Sequence, residues 1–297
     1  MMKKNIAFIV NPVSGKSKKT NLSGKIIRFL DKNQFDECRI VETEEKGHAT
    51  DLANNFVKEG FDIIVAVGGD GTVNEVASAL INTPAAFGII PCGSGNGLAR
   101  HLKIPLNLYE AVNQFNYAEI EKIDYGVVNE QKTFFCTCGT GFDAYISELF
   151  SNGDKRGFFG YIENAIKGYF KYVPQYYQLT GDSFHWEGKA FIITFANASQ
   201  WGNNAYIAPK ASIQDGLMDV SVISKLPIKS TPRLAYKLFS KKIDNDLLVT
   251  TFRSNEITLI RDNADAFHLD GDPYEMGKEI HIKMIPEGLN MIVKKRF

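Results

Sequence analysis

The chain has 297 residues, 44% of them hydrophobic and 23% charged, which is the composition of a globular protein with one large domain or two. Its 34 basic residues equal its 34 acidic residues, and this balance excludes a global field that attracts nucleic acid or an anionic membrane. We therefore expect no nucleic-acid partner, and any attraction to a membrane must be local.

The first 125 residues alternate between predicted strands and predicted helices. The strands are residues 6–10, 38–41, 63–67 and 87–90, and the helices are residues 49–58, 72–80 and 95–102, preceded by a helical spacing of Leu22, Ile26, Phe29 and Leu30. This alternation predicts a doubly wound α/β domain, a parallel sheet with helices on both faces. Ligands of such sheets bind at the carboxyl ends of the strands.

A glycine-rich loop follows the third predicted strand. Residues 65–76 read VAVGGDGTVNEV, and three glycines in four residues allow the backbone to approach a ligand closely. Successive N–H groups and the start of the next helix form a site for phosphate. Asp70 lies within this loop, where phosphate repels a carboxylate unless it binds a metal or accepts a proton. Its position therefore indicates chemistry, although an ordinary strand–turn–helix explains the same glycines.

A second loop, CGSGNGLAR at residues 92–100, follows the fourth predicted strand and opens another helix. Neither loop matches the G-x-G-x-x-G pattern of dinucleotide-binding proteins, which fails at Asn74 and at Leu98. The P-loop pattern also fails, because Val10 stands where the glycine preceding residues 15–17 is required. The two loops predict a phosphate-binding protein outside both classes.

Short alternating strands dominate after residue 125. A hairpin is predicted within residues 127–137, followed by strands at 189–195, 217–223, 256–260, 267–269 and 279–284, with helical insertions at 143–150, 157–172 and 232–239. The chain therefore divides into an N-terminal α/β domain at residues 1–125 and a C-terminal β-rich, sandwich-like domain at residues 126–287.

Five segments together resemble the diacylglycerol kinase catalytic family, which includes soluble bacterial lipid kinases, sphingosine kinases and ceramide kinases. They are VNPVSGK at 10–16, GGDGTVNEV at 68–76, PCGSGNGLAR at 91–100, DGLMDV at 215–220 and LDGDP at 269–273. Their order and their spread over nearly the whole chain are specific, whereas GGDGT alone also resembles NAD kinases and phosphofructokinases. The resemblance implies that residues 288–297 return to the N-terminal, nucleotide-binding domain.

The resemblance also implies an ATP site. Phosphoryl transfer needs anchored phosphates, a cation and a base, and the two glycine loops supply the anchors. The implied nucleotide contacts are Asn11, Pro12, Val13, Ser14, Gly15, Thr43, Gly68, Gly69, Asp70, Gly71, Thr72, Val73, Asn74 and Ser94.

Asp270 and Asp272 are the candidates for the base, with Asp70 as the third catalytic residue. Asp270 and Asp272 flank one glycine after a predicted strand, so their carboxyl groups lie close together and the pKa of one of them can be raised. The residues alone favour an ordinary turn capped by its side chains, whereas the resemblance favours a base. Many relatives carry glutamate at position 272, which leaves open which carboxylate takes the proton.

A structural Mg²⁺ is implied by the resemblance on the carboxylate of Asp215, with backbone carbonyl groups at Ser212 and Leu217. Magnesium accepts so sparse a set because it prefers a few carboxylates completed by water. A simple Asp-Gly turn at residues 215–216 is the alternative.

Aromatic side chains and cations are interspersed between Lys155 and Tyr177. This combination suits a membrane interface or an entrance for acyl chains. Packing of a helix against the core explains the same pattern, and both interpretations stay open.

The sequence thus predicts an ATP- and Mg²⁺-dependent lipid kinase with diacylglycerol as the leading acceptor. Gly97 stands where diacylglycerol kinases usually carry an acidic residue, so a sphingoid base is the alternative acceptor. A non-catalytic lipid- or nucleotide-binding module is the alternative of another class. No signal peptide and no apolar stretch of about 20 residues is visible. We therefore expect a cytoplasmic protein, peripheral at the inner membrane face, and a homodimer is compatible with this pattern.

Overall fold

The computed structural model describes residues 3–15, 22–151 and 167–294. The chain divides into two compact units. Unit 1 comprises residues 1–123 and 287–297, and unit 2 comprises residues 124–286. Within the described residues, no helix combines the length and the apolar character needed to cross a membrane.

Unit 1 is built from alternating strands and helices. They are β1 (Lys4–Val10), α1 (Leu22–Phe29), β2 (Phe35–Glu42), α2 (His48–Lys58), β3 (Ile63–Gly68), α3 (Asp70–Leu80), β4 (Ala86–Pro91), α4 (Gly97–His101) and α5 (Leu108–Asn113). β3 and β4 are buried along their whole length, as expected for parallel strands covered on both faces. This burial explains why both strands read as continuous apolar runs.

The sheet of unit 1 has the order β2-β1-β3-β4, and all three pairings are parallel. The chain passes from β1 to β2 on one side and then to β3 on the other. Their carboxyl ends therefore form the switch point at which open α/β sheets bind ligands. The core of the unit includes Phe8, Val65 and Phe115, all buried.

The remaining strands lie in unit 2, except that the first of them begins in unit 1 and the last of them ends there. They are β5 (Ala118–Val128), β6 (Lys132–Phe134), β7 (Thr137–Gly141), β8 (Gln175–Gly181), β9 (His185–Ala190), β10 (Ile192–Ala196), β11 (Met218–Ile223), β12 (Val249–Ser254), β13 (Glu256–Arg261), β14 (Asp265–Leu269), β15 (Asp272–Met276) and β16 (Glu279–Lys294). Helix α6 spans Phe142–Ser151 and helix α7 spans Thr231–Phe239.

Two antiparallel layers enclose the core of unit 2. One has the order β12-β11-β10-β7-β14-β15, and the other joins β9, β8, β13 and the first part of β16. Tyr177, Phe195 and Phe267 are fully buried between apolar side chains of the two layers. The predicted fold class, a parallel-sheet α/β domain followed by a β sandwich, is confirmed.

The structure corrects several predicted strand boundaries. The strand predicted at 189–195 is in fact β9 and β10, which pair with different neighbours and belong to different layers. The strand predicted at 279–284 continues into the segment implied to return to the N-terminal domain, and together they form the single strand β16: its residues 279–283 pair with β13, and Met291 pairs with Phe87 of β4. Strands β8, β12 and β15 and helix α5 were not predicted.

Candidate functional site

Four sequence-predicted segments lie at one edge of the sheet of unit 1. Asn11 follows β1, Thr43 follows β2, and the two glycine loops follow β3 and β4. The N–H of Asn11 donates to the carbonyl of Val67 and the N–H of Thr43 donates to the carbonyl of Val10. Because these four strands are neighbours and parallel, their carboxyl ends present the four segments together, as the sequence predicts.

Asn11 ties the first of these segments to the helix after β3. Its side-chain amide donates to Oγ1 of Thr72 at 3.0 Å, while its Oδ1 accepts the N–H of Val13 at 3.0 Å. The hydroxyl of Ser14 donates to the carbonyl of Asn11, and Gly15 has a φ of 84°, which favours glycine. Residues 11–15 therefore form a turn that is held by hydrogen bonds between its own residues. Residues 16–21 lie outside the described part of the chain.

Two glycines allow the loops after β3 and β4 to touch through their backbones. A Cβ added to Gly93 would lie 2.6 Å from the Cα of Gly69. Real Cβ atoms do not approach that closely, so the contact requires glycine. The N-cap of α3 is Gly69, so no side chain caps its first N–H groups. Such a helix start attracts anions.

Asp70 joins the two glycine loops. Its Oδ2 accepts the N–H of Asn96 at 2.9 Å and its Oδ1 accepts the N–H of Gly97 at 2.7 Å. Asn96 has a left-handed backbone, with a φ of 52°, and its side chain bonds both the N–H and the carbonyl of Gly93. The carboxylate of Asp70 thus has a structural contact that the sequence analysis did not foresee. Substitution of this carboxylate will change the loop as well as its charge.

Glu75 is a further residue that sequence reasoning missed. From α3, its carboxylate accepts the N–H groups of Gly47 and Ala49 at 3.0 and 3.3 Å, and so caps the start of α2. His48 accepts the N–H of Glu44 through Nδ1, which gives this histidine a structural role. An open pocket beside Thr43 is lined by residues 44–48, 50 and 51.

In unit 2, Asp270 and Gly271 form the turn between β14 and β15. Both have a positive φ, 49° and 90°, and Leu269 pairs directly with Asp272. Such two-residue hairpin turns favour Asp-Gly. The carboxylate of Asp270 accepts the N–H groups of Phe135, Cys136 and Thr137 at 2.9, 2.8 and 3.1 Å. Asp270 is therefore hydrogen-bonded to the residues that lead into the neighbouring strand β7. Asp272 begins β15 and is partly exposed.

A buried pair lies two residues before this turn. His268 Nε2 is 3.1 Å from Oδ2 of Asp143, at the start of α6, and both side chains are almost fully buried. The hydroxyl of Thr194 donates to the same carboxylate at 3.3 Å. Neither residue lies in a segment that carried the resemblance, so the sequence offered no signal for this pair.

At the implied magnesium site, the carboxylate of Asp215 already has partners within the protein. Oδ1 of Asp215 accepts the N–H of Leu217, and Oδ2 is paired with the guanidinium of Arg253. Burial raises the pKa of the neighbouring Asp219 carboxyl, although Arg253 opposes this effect. A carboxylate has about four lone-pair sites, so Asp215 retains capacity for Mg²⁺ beside Ser212 and Leu217. The arginine already neutralises part of its charge.

The described aromatic residues between positions 155 and 177 differ in how deeply they are buried. Residues 152–166 lie outside the described part of the chain. Tyr177 is fully buried in the sandwich core, and Tyr169 and Tyr172 pack against a smaller apolar cluster. Burial raises the pKa of both Tyr172 and Tyr177. Phe170, in contrast, is exposed. Core packing therefore accounts for most of the described tyrosines.

Known proteins match nearly the whole chain. Residues 5–128 match the diacylglycerol kinase catalytic domain, and residues 136–293 match the YegS C-terminal NAD kinase beta sandwich-like domain. A probable lipid kinase YegS from Escherichia coli is 31% identical over 253 residues, with 83% of each chain covered. A YegS-like probable lipid kinase from Yersinia enterocolitica is 30% identical, with 89% of this chain and 90% of that protein covered.

Solved structures share the fold. A crystal structure from Bacillus anthracis has a TM-score of 0.81 at 22% identity, and a diacylglycerol kinase from the same bacterium has a TM-score of 0.75 at 21% identity. Each comparison covers 98% of this chain and 97% of the other. The chain therefore belongs to the diacylglycerol kinase catalytic-domain family of lipid kinases.

Proposed function

We propose that this lipid kinase transfers the terminal phosphoryl group of ATP to a lipid hydroxyl, with diacylglycerol as the leading acceptor. The observation that carries the proposal is the joining of both glycine loops by Asp70 at the carboxyl edge of the unit 1 sheet. Helix α3, 11 residues long, begins at the same edge, and no side chain caps its start. Such a backbone arrangement suits triphosphate, whose charge it partly neutralises.

The nucleotide would be held by the four segments at this edge. The turn at residues 11–15 lies between Thr43 and the loop at 68–74, and the loop containing Ser94 lies against the other side of that loop through the contact between Gly69 and Gly93. Asp70 is the charged member of this set. Its role would be to keep the two loops in register with the phosphates and to orient the bound cation.

The acceptor hydroxyl would lose its proton to the pair Asp270 and Asp272. Three N–H bonds hold the carboxylate of Asp270 in one orientation and favour its charged form. Asp272 follows one residue after the turn and carries the second carboxylate. The separate roles of the two are distinguished by the substitutions argued in the Discussion.

Magnesium would bind at two sites, one with ATP and one structural. Bound with ATP, it neutralises charge on the phosphates. A structural ion would be held by the carboxylate of Asp215 and by carbonyl groups at Ser212 and Leu217. The partly exposed position of Asp215 beside the turn at Gly216, whose φ is 70°, supports access for a hydrated ion.

A sphingoid base is the second candidate acceptor. Position 97 is glycine, whereas diacylglycerol kinases usually carry a carboxylate there, and in this chain the N–H of Gly97 donates to Asp70 instead. The missing carboxylate leaves Asp70 as the acidic group that joins the two loops. A protein that binds lipid or nucleotide without catalysis is the alternative of another class, and the retained Asp70, Asp270 and Asp272 argue against it.

The test is transfer of radiolabelled phosphate from ATP to a panel of lipids in mixed micelles. Diacylglycerol, sphingosine, ceramide and monoacylglycerol are compared at equal mole fraction, with and without Mg²⁺. Label in phosphatidic acid, dependent on Mg²⁺, is the expected result. Label confined to a sphingoid base would favour the second candidate. Absence of label from every lipid, with ATP still bound, would favour the non-catalytic alternative.

We propose further that the protein works from the cytoplasm at the inner membrane face, because its acceptor resides in the bilayer. Sedimentation of the purified protein with vesicles tests this location. Retention in the supernatant with every vesicle composition would contradict it.

A further inference from the structure

Helix α7 carries apolar side chains on its outer face. Leu234 faces the core and is buried, whereas Pro232, Ala235, Tyr236 and Phe239 are all exposed. These four positions follow the spacing i, i+3, i+4, i+7, so they form one stripe on the side opposite Leu234. The side chain of Tyr236 is 67% exposed. A helix with apolar residues on its outer face as well is normally covered by another surface.

Two neighbouring segments extend this stripe. The hydroxyl of Tyr169 donates to the carbonyl of Leu226, which places the exposed Phe170 and Val173 near the segment that leads into α7. On the far side, Lys237 donates to the carbonyl of Asn245, and Leu247 follows with 97% exposure.

The large exposed hydrophobic side chains of unit 2 are concentrated here. Six of the seven found among its described residues belong to these segments, namely Phe170, Val173, Ile228, Tyr236, Phe239 and Leu247, and the seventh is Ile260 on β13. We call the exposed side chains of residues 170–173 and 225–247 the α7 surface. Scattered exposed apolar residues need no explanation, but a concentration of this kind marks an interaction site.

The α7 surface is also basic. Residues 225–247 contain six cations, Lys225, Lys229, Arg233, Lys237, Lys241 and Lys242, and two carboxylates, in a chain whose net charge is zero. Both carboxylates are directed inward. Asp246 is fully buried and paired with Arg233 and Lys237, and Asp244 is paired with Lys210. Lys225, Lys229 and Lys242 remain exposed, so the outward charge is positive.

We propose that the α7 surface docks the protein on an anionic lipid surface. Exposed aromatic and aliphatic side chains ringed by lysines match the two layers of such a membrane, apolar below and negatively charged at the headgroups. A second copy of the chain would oppose one positive surface to another, which costs free energy. The inference rests on the proposed function in one respect, because a lipid acceptor gives this docking its purpose.

The electrostatic part is tested by Lys229→Glu with Lys242→Glu, both exposed and outside every proposed catalytic contact. Lys189→Glu with Lys278→Glu, at exposed positions elsewhere in unit 2, changes the net charge equally and serves as the control. Binding is measured by sedimentation with vesicles of phosphatidylglycerol and phosphatidylcholine, and with phosphatidylcholine alone. Each lysine near an anionic surface contributes about fivefold to binding. We therefore expect at least about twentyfold weaker binding to anionic vesicles in the first variant and little change in the control.

The apolar part is tested by Tyr236→Ser with Leu247→Ser against Leu106→Ser with Ile260→Ser as the control. We expect weaker vesicle binding in the first pair only, with phosphorylation of short-chain, monomeric lipid unchanged. Wild-type binding by both α7 variants would overturn the proposal. It would also be overturned if the α7 variants converted a dimer to a monomer in light scattering while still binding vesicles. If the micelle assay finds no lipid kinase activity, loss of vesicle binding still supports the surface, so the two proposals fail separately.

Discussion

At the scale of single residues, the carboxylate of Asp70 has a structural role and a proposed role in catalysis. Its two oxygens accept the N–H groups of Asn96 and Gly97, yet it lies within the loop that we propose binds phosphate. An amide at this position offers one acceptor oxygen and one NH₂ group, which would face a backbone N–H. Charge removal and loop distortion therefore occur together.

We expect Asp70→Asn to lower the rate of phosphoryl transfer at least about 100-fold, the effect of removing one electrostatic group from an active site. The free energy of unfolding should also fall by about 1–2 kcal/mol, because one N–H loses its acceptor. Glu75→Gln is the matched control, since Glu75 accepts two N–H groups in the same unit. Its melting temperature should fall similarly while most activity remains. Equal losses of activity in both variants would reduce Asp70 to a structural residue.

Asp270 and Asp272 should respond differently to the same substitution. Asp270→Asn places an NH₂ group among three backbone N–H donors, so both the melting temperature and the turnover should fall. Asp272→Asn should lower kcat with little change in melting temperature. Thermal unfolding and steady-state kinetics measure the two effects. Near-native turnover of a folded Asp272→Asn variant would leave Asp270 as the sole candidate for the base.

At the scale of elements, the buried carboxylate of Asp246 is paired with two cations of α7, Arg233 and Lys237. Burial acts to raise the pKa of Asp246, but the N–H of Leu248 and the cations Lys237 and Arg233 outweigh it and lower the pKa below its ordinary value of 3.8. A carboxyl whose pKa is lowered by folding stabilises the protein above its unfolded pKa. That contribution is lost as pH falls below about 4, toward the lowered pKa.

We expect Asp246→Asn to lower the melting temperature at pH 7 and to flatten the fall in unfolding free energy between pH 5 and pH 3. The reason is that the variant has no carboxyl to protonate at this position. Denaturant unfolding at several pH values measures the slope. Asp262→Asn, at an exposed position on the same unit, is the control and should retain the wild-type slope. If the free energy of unfolding fell with the same slope below pH 5 in Asp246→Asn and in the wild type, the role given to this ion pair would be contradicted.

Strand β8 shows why some elements escaped prediction. Tyr177 and Leu179 point into the core, whereas Tyr176 and Gln178 are less buried, a period of two residues. In the sequence the aromatic residues of this strand continue a longer aromatic segment, whose spacing also fits a helix. The pairing of β8 with β13 and β9 decides between the two, and a single segment does not contain that information.

At the scale of the whole molecule, each unit has a core of its own. The apolar clusters of unit 1 and unit 2 contain different residues, although β16 contributes to both, with Ile292 in unit 1 and Ile280 and Ile282 in unit 2. Binding of a ligand to the folded state alone stabilises by mass action, about 2.7 kcal/mol at a concentration 100 times the dissociation constant. Nucleotide and structural metal should therefore stabilise different parts of the chain.

We expect Mg²⁺ without nucleotide to raise the melting temperature of the wild type and to slow amide hydrogen exchange at residues 212–217. Asp215→Ala should abolish both effects. Arg253→Ala should enlarge the Mg²⁺ effect, because the guanidinium that pairs with Asp215 and Asp219 is gone. An ATP analogue should instead protect residues 11–15, 68–74 and 93–97. An equal response of Asp215→Ala and the wild type to Mg²⁺ would remove the structural metal site.

The sequence by itself determined the alternation of strands and helices in unit 1, the two glycine loops and the Asp-Gly turn. Each depends on residues adjacent along the chain, because helical spacing, strand alternation and positive-φ turns are local preferences. Only the tertiary structure decided which groups the candidate carboxylates and the buried Asp143 contact. Asp70 and Gly97 are 27 residues apart, Asp143 and His268 are 125 apart, and Asp270 and Cys136 are 134 apart. Hydrogen bonds over such separations form only after the sheets have paired, and no local pattern encodes them.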